Sequence, residues 1–434
     1  MFIKKLKNSP FWYRTLTESL FYLFLFLLPW QTRYIVEQGY LNGGMWEYGT
    51  FSLYGTDILL LLIFLLAIFY HYYATNHKPR PIANYLPFLA FLLISFLSLY
   101  WSINQEIAFY YWLRLLGAAI LLYIIFKINI NFRKAGASLV IAGLVQAELA
   151  IFQFFQQNVF ANKWLGMSEH SPDVLGDQVV ETLEGRYLRA YGSLPHPNML
   201  AGLLVLSLFL LVFFYLTSKQ RYQKIFCCVA LPLLSAGLFF TFCRAAFIGF
   251  GVAWVFAFLL IFWKQKKYRV DFLKLTVFIT LVIGVLAIIY PSLIFSRVGE
   301  ITRLEKKSIT ERASYQQESL EIIKNNWPTG IGLGNYTQYT HDNTQENLKA
   351  YAYQPVHNIY LLIMSELGIF GFIIFILIIT GAFRNFNFKK IETIIVGISV
   401  VAMLAAGFFD HYFFTLYFGM LLFWLPIGLL YKSQ

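Results

Sequence analysis

Charge is what this 434-residue sequence has least of. Asp, Glu, Lys and Arg make up 13% of it, about half the share of an ordinary soluble domain. Cysteine is also scarce: Cys227, Cys228 and Cys243 lie within or at the end of one apolar segment, which excludes a disulfide framework and a zinc-ligand spacing. No alternation of apolar and polar residues marks out β-barrel strands. No small-residue cleavage site follows the first apolar run, which ends in LLPWQTRYIV, so that run is expected to be a retained span and not a removed signal peptide. There is no low-complexity tract, no internal repeat and no segment with the composition of a soluble domain.

What the sequence has in abundance is apolar surface. It is 59% hydrophobic and 19% aromatic, with mean hydropathy +0.60. Runs such as TDILLLLIFLLAIFYHYY (56–73) and FLKLTVFITLVIGVLAIIY (272–290) suffice to cross a hydrocarbon core of about 30 Å as helices. The expectation is an all-α, polytopic transmembrane bundle, a single integral membrane domain over 1–434. About twelve spans are expected, near 18–34, 56–73, 85–101, 107–126, 136–157, 197–216, 225–241, 245–262, 272–290, 357–379, 391–409 and 412–430.

The net charge of +12 matters less than its placement, and no nucleic-acid partner is expected. Twenty of the 34 Lys and Arg residues fall in the N-terminal stretch MFIKKLKNSPFWYR, in alternate short loops (Lys78 and Arg80 among them) and at Lys432. The positive-inside bias then puts both termini in the cytoplasm. The opposite face carries two long segments, a first outer loop at 158–196 and a large outer loop at 291–356, with twelve of the 22 acidic residues. The larger loop has helical patterning at 310–326, with Thr310 as N-cap, and ends in WPTGIGLGNY. Any chemistry is expected on this extracytoplasmic face.

Several polar groups there demand an explanation. Hydrocarbon disfavours a charge strongly, yet Arg114 sits in YWLRLLGAAI, with Glu148 as a candidate partner. Arg244 lies where one span turns into the next, Arg189 just ahead of the sixth span, and Arg312 in the patterned part of the large loop. Each alone reads equally as a snorkelling or capping arginine. Together, without a carboxylate pair nearby, guanidinium forks suit phosphate oxygens and need no metal. Asp173 and Asp177 read as solvated loop carboxylates. GIGLGNY (330–336) has no following Lys-Ser/Thr and no preceding strand, which rejects a nucleotide loop and leaves a glycine-rich turn.

His357 opens the tenth span at the outer edge, where an imidazole can take a proton near neutral pH. Its bland alternative is an interfacial hydrogen-bonding histidine. Glu366, nine residues on, lies half a turn out of phase and about 13 Å away along a helix, so the two are no dyad and Glu366 reads as structural. In SLPHPN (193–198) the prolines break the backbone beside Asn198, and His196 is a weaker catalytic candidate. DHYFF (410–414) reads as a short outer turn.

Taken in order, GSLPHPNMLAG, CRAAFIGF, ERASYQQESLEIIKNNWPTGIGLGNY and VHNIYLLIMSELGIFG resemble the O-antigen ligase and polymerase superfamily of bacterial membrane glycosyltransferases, over roughly 185–375. The resemblance implies transfer of a glycan from an undecaprenyl-pyrophosphate carrier to an acceptor hydroxyl outside the bacterial cytoplasmic membrane, without metal, nucleotide or other cofactor. It implies a base at His357 and pyrophosphate binding at Arg244, and less securely at Arg189 and Arg312; Asn358, Glu366, Arg114 and Asn198 are candidates for support. His196 precedes Pro197 and Asn198 where the family commonly has only the Pro-Asn part, so it inherits no role. The expected partners are the lipid-linked donor, a lipid A core or another glycan or protein acceptor, and membrane lipid. A polymerase joining lipid-linked repeats is the near alternative. A transporter is the distant one, favoured by the intramembrane charges and disfavoured by the absence of inverted halves.

Overall fold

The computed structural model describes residues 11–73, 85–298, 302–344, 348–384 and 386–433. The basic residues of the first ten positions, with Lys78 and Arg80, lie outside the described residues. The chain is mostly helical with little sheet. In order come α1 (Phe11–Leu27), α2 (Gly55–Tyr73), α3 (Leu86–Leu97), α4 (Gln105–Lys127), α5 (Phe132–Gln156), α6 (Pro197–Thr217), α7 (Arg221–Phe240), α8 (Arg244–Lys264) and α9 (Arg269–Ile289). The outer-loop helices α10 (Pro291–Val298), α11 (Arg303–Asn326) and α12 (Tyr336–Asn343) follow, then α13 (Ile359–Phe383), α14 (Ile391–Ala406), the short α15 (Tyr412–Thr415) and α16 (Tyr417–Ser433). Among the described residues, seven helices are long and apolar enough to cross a membrane. Four further apolar helices are shorter, including α3 and α14.

The helix α6 sits at the centre, almost wholly buried against α5, α7 and α14, whereas α9 lies at the periphery and stays mostly exposed. Close approach depends on small residues, as expected where lipid tails offer no hydrophobic drive. A Cβ on Gly249 of α8 would come within 2.4 Å of the Ala402 carbonyl on α14.

Hydrogen bonds sort the loops to two ends. At one end Lys432 donates to the Ile125 carbonyl at 2.7 Å, Gln265 to the Phe388 carbonyl at 2.8 Å, and Lys224 pairs with Asp271 at 2.7 Å. At the other end Thr32 reaches the Trp164 carbonyl at 2.6 Å, Asn42 the Leu348 carbonyl at 2.8 Å, and Ser193 the Pro29 carbonyl at 3.0 Å. This second end also carries what the sequence reading did not foresee. Three two-stranded antiparallel ladders form there: Arg33–Glu37 with Phe51–Tyr54, Tyr40–Leu41 with Gly44–Met45, and Val179–Glu181 with Arg186–Leu188. They are too short to show a period.

Two expectations are corrected. The loop helix starts at Arg303 after Thr302, and Thr310 lies inside it with its hydroxyl donating to the Lys306 carbonyl at 3.0 Å, so it caps nothing. Glu148 is exposed and does not partner Arg114. Arg114 pairs with Asp57 at 2.6 Å, donates to the Ser52 carbonyl and to the Tyr110 hydroxyl, and lies over the rings of Tyr54, Tyr110 and Tyr417. The cation is thus satisfied locally.

Candidate active site

The turn TFCR (241–244) between α7 and α8 gathers arginines from three parts of the chain. Its carbonyls stay free because Phe242 takes a left-handed φ of 47° and ends the helix. Arg189 donates through Nε to the Thr241 carbonyl at 2.7 Å. Arg297, at the end of α10, donates to the Phe242 carbonyl at 2.9 Å. Arg244 itself donates to the Arg297 carbonyl at 3.2 Å and pairs with Glu305 at 2.7 Å. Glu305 also pairs with Arg297, so one buried carboxylate in the first turn of α11 is shared by two guanidiniums. Arg297 was not singled out from the sequence. FSRVGE in the large loop was the only signal, and nothing local joins it to residue 242.

Arg189 has little exposure and is held on three sides. It donates to the Gln178 side chain at 3.3 Å and to Asn198 Oδ1 at 2.5 Å. Asn198 passes the connection on, donating through Nδ2 to Asp410 Oδ2 at 2.5 Å. The other oxygen of Asp410 accepts the backbone N–H groups of His411 at 2.8 Å and Tyr412 at 3.3 Å. The break before α6 is satisfied by two buried glutamines of α5, as a membrane-depth break must be. Gln146 accepts from Ser193 N at 2.7 Å, and Gln153 accepts from Tyr191 N at 3.1 Å and Gly192 N at 2.9 Å. His196 caps α6, its Nδ1 accepting from Asn198 N at 3.1 Å.

Three histidines meet beside this network. The rings of His357 and His411 stand edge to face, 4.9 Å between centroids. On its other side His357 lies parallel to Tyr315 of α11 at 5.9 Å. Its Nδ1 is enclosed and makes no close hydrogen bond among the described residues, while the residue as a whole keeps an accessible part. Burial first, then His411 and the charge of Arg312, push the His357 pKa well below the usual imidazole range, against a smaller opposing pull from the Pro355 carbonyl. Burial likewise takes His411 down to about 4, with Asp410 opposing and Arg312 assisting. His196 is pushed down to about 3 by burial and Arg189. All three are therefore neutral near pH 7.

Arg312, one turn before Tyr315 on α11, has no hydrogen bond or ion pair among the described residues. It is close enough for its charge to act on His357, His411 and Arg189. Four guanidiniums (Arg189, Arg244, Arg297 and Arg312) thus face two carboxylates, Glu305 and Asp410, around neutral imidazoles. The surplus is cationic and suits an anionic ligand beside a proton acceptor.

Residues 229–376 match the family model of the O-antigen ligase. This supports membership of the O-antigen ligase and polymerase superfamily, and with it a membrane glycosyltransferase-like enzyme of surface polysaccharide assembly. A comparison with curated proteins found no match. The matched segment holds Arg244, Arg297, Glu305, Arg312 and His357, whereas Arg189, Asn198 and His411 reach the site from outside it.

Within the matched segment Glu366 has a separate task. It is buried in α13, and its carboxylate accepts Gly334 N–H at 2.9 Å and Tyr336 N–H at 3.4 Å. GIGLGNY is accordingly a turn docked on α13, not an anion cradle. α13 is broken there, at Gly368 with φ 64°, and Ile369 N–H donates to the Trp327 carbonyl at 2.8 Å instead of continuing the helix. The dock also holds the middle of α11, since Tyr336 donates to the Tyr315 carbonyl at 3.0 Å. Asn358 is the N-cap of α13, accepting from Tyr360 N and Leu361 N at 2.9 and 3.1 Å.

Proposed function

We propose that this protein moves a glycan from an undecaprenyl-pyrophosphate carrier to an acceptor hydroxyl at the extracytoplasmic face of the bacterial cytoplasmic membrane. The fold would then be a bundle of about twelve spans with both termini in the cytoplasm. His357 takes the proton of the acceptor hydroxyl as its oxygen attacks the anomeric carbon of the donor sugar. The bond from that carbon to the pyrophosphate breaks, and the leaving group departs with the electron pair. Arg312 and Arg244 contact the growing negative charge. Arg189 is enclosed and contributes its field from behind while fixing Asn198. Positioned base catalysis of this kind is worth about 10² to 10⁴ in rate, and no metal enters the scheme.

The observation that carries this reading is the neutral imidazole of His357, set between His411 and Tyr315, within reach of the charge of Arg312, which has no hydrogen bond or ion pair among the described residues. A neutral base next to an idle guanidinium is an arrangement that folding alone does not require. The test is purified protein in liposomes with the lipid-linked glycan, with and without a separate acceptor. Transfer that requires the acceptor indicates a ligase, and lengthening of the lipid-linked glycan alone indicates a polymerase. Absence of product under both conditions overturns the reading.

A further inference from the structure

The mechanism above uses one imidazole, yet a second stands against it. His411 was not a candidate by sequence, and it lies outside the matched segment. Its ring nitrogens differ in a way the hydrogen bonds define. Nδ1 lies 2.8 Å from Thr415 Oγ1, and that hydroxyl donates its own proton to the His411 carbonyl at 3.2 Å. With its proton committed, the hydroxyl can only accept from the ring, so Nδ1 carries the hydrogen and Nε2 the lone pair. His411 is 5% exposed. Among the described residues Nε2 has no hydrogen-bond partner, and it is not among the sealed, unpartnered atoms, so the remaining opening includes it.

The turn that carries this ring is held firmly. Asp410 binds the N–H groups of residues 411 and 412 and is tied through Asn198 to Arg189. Arg312 of α11, His357, His196 and Tyr48 surround it. No carboxylate other than that of Asp410 is brought to it by these contacts.

We propose that His411 reads the acceptor: Nε2 accepts a hydrogen bond from a second hydroxyl of the acceptor sugar, next to the one that His357 deprotonates. The two edge-to-face rings then orient one sugar, and the acceptor class is a glycan with two neighbouring free hydroxyls. His411 gains no proton in this step; the proton of the attacking hydroxyl ends on His357. This inference rests on the glycosyl-transfer reading. The depressed pKa of His411 agrees with it, because the lone pair stays available at neutral and mildly acidic pH.

The test uses the full-length protein in liposomes, the acceptor that supports wild-type transfer, and that acceptor with single hydroxyls O-methylated. His411→Ala is expected to raise the acceptor KM about 3- to 10-fold, the range of one neutral hydrogen bond, with the donor KM unchanged. Thr415→Val, which frees Nδ1 without removing the ring, is expected to act in the same direction and less strongly. One O-methyl derivative is expected to show an acceptor KM raised about 3- to 10-fold with the wild type and to lose that disadvantage with His411→Ala. Unchanged acceptor KM in both variants, with His357→Ala inactive, contradicts this inference alone. Equal penalties for that derivative in wild type and His411→Ala also contradict it. No transfer by the wild type overturns the glycosyl-transfer reading as well.

Discussion

At the scale of single residues, the same amino acid does different work according to what its neighbours leave undone. Arg114 and Arg312 are both arginines that the sequence marks as costly. Arg114 is consumed by Asp57, a carbonyl and three tyrosine rings, whereas Arg312 is left unpaired beside two histidines. Asp57→Ala should therefore lower stability by about 3 to 5 kcal/mol, the usual consequence of orphaning a buried charge, and leave the substrate KM values unchanged. Thermal unfolding in detergent alongside the transfer assay checks both halves. Arg312→Ala should do the reverse, with near-normal melting and a loss of transfer. The histidines give a pH signature. Their pKa values are depressed on folding, so between the unfolded value near 6.5 and about 4 for His411 the unfolded chain binds more protons. Stability contributed by the neutral ring is complete above pH 6.5 and is lost as pH falls through that window. Melting temperature should fall from pH 7 to pH 4, and His411→Gln should flatten the slope. The acid limb of transfer should lie well below pH 6.5, because His357 stays unprotonated there.

At the scale of elements, the break in α13 is the feature that holds the loop helix in place. Gly368 has φ 64°, and a Cβ there would lie 2.3 Å from the Pro328 carbonyl. A Cβ on Gly330 would lie 2.4 Å from the backbone of Glu366. Both contacts are backbone against backbone, which cannot rotate aside. Gly368→Ala should therefore destabilise by roughly 1 to 3 kcal/mol, as strained backbone does, and reduce transfer further by loosening α11 and with it Tyr315 and Arg312. Melting and initial rates on the same preparation test this, and unchanged values for both would contradict the docking role. This scale also shows what a sequence can and cannot reveal. The apolar runs announce the helices because each is local and long. His357 and Arg244 stand out because a polar group at the end of such a run has few bland explanations. Arg297, Asp410 and His411 did not stand out, since their meaning comes from contacts 55, 212 and 54 residues away along the chain. Arg114 was matched with the wrong acid for the same reason: Asp57 sits in the first turn of α2, just past a β-ladder that was too short to read.

At the scale of the whole molecule, the hydrophilic mass is gathered at one end, and every group of the site belongs to it. That end is assembled from the 33–54 ladders, the loop before α6, the turns at 241–244 and 407–411, and helices α10 to α12. The lysine-rich loops Lys127 to Lys134 and Lys219 to Lys224 lie at the other end, with Lys432. A reporter fused after residue 434 should accordingly be active in the cytoplasm, and a cysteine placed at exposed Leu183 should react with an impermeant thiol reagent added from outside. Labelling from the inside only would reverse the orientation. The most direct test of the central claim is glycan transfer by His357→Ala at matched expression and matched melting temperature. The account predicts a fall in rate of about 10² to 10⁴ with the protein still folded. Wild-type transfer by that variant would contradict it.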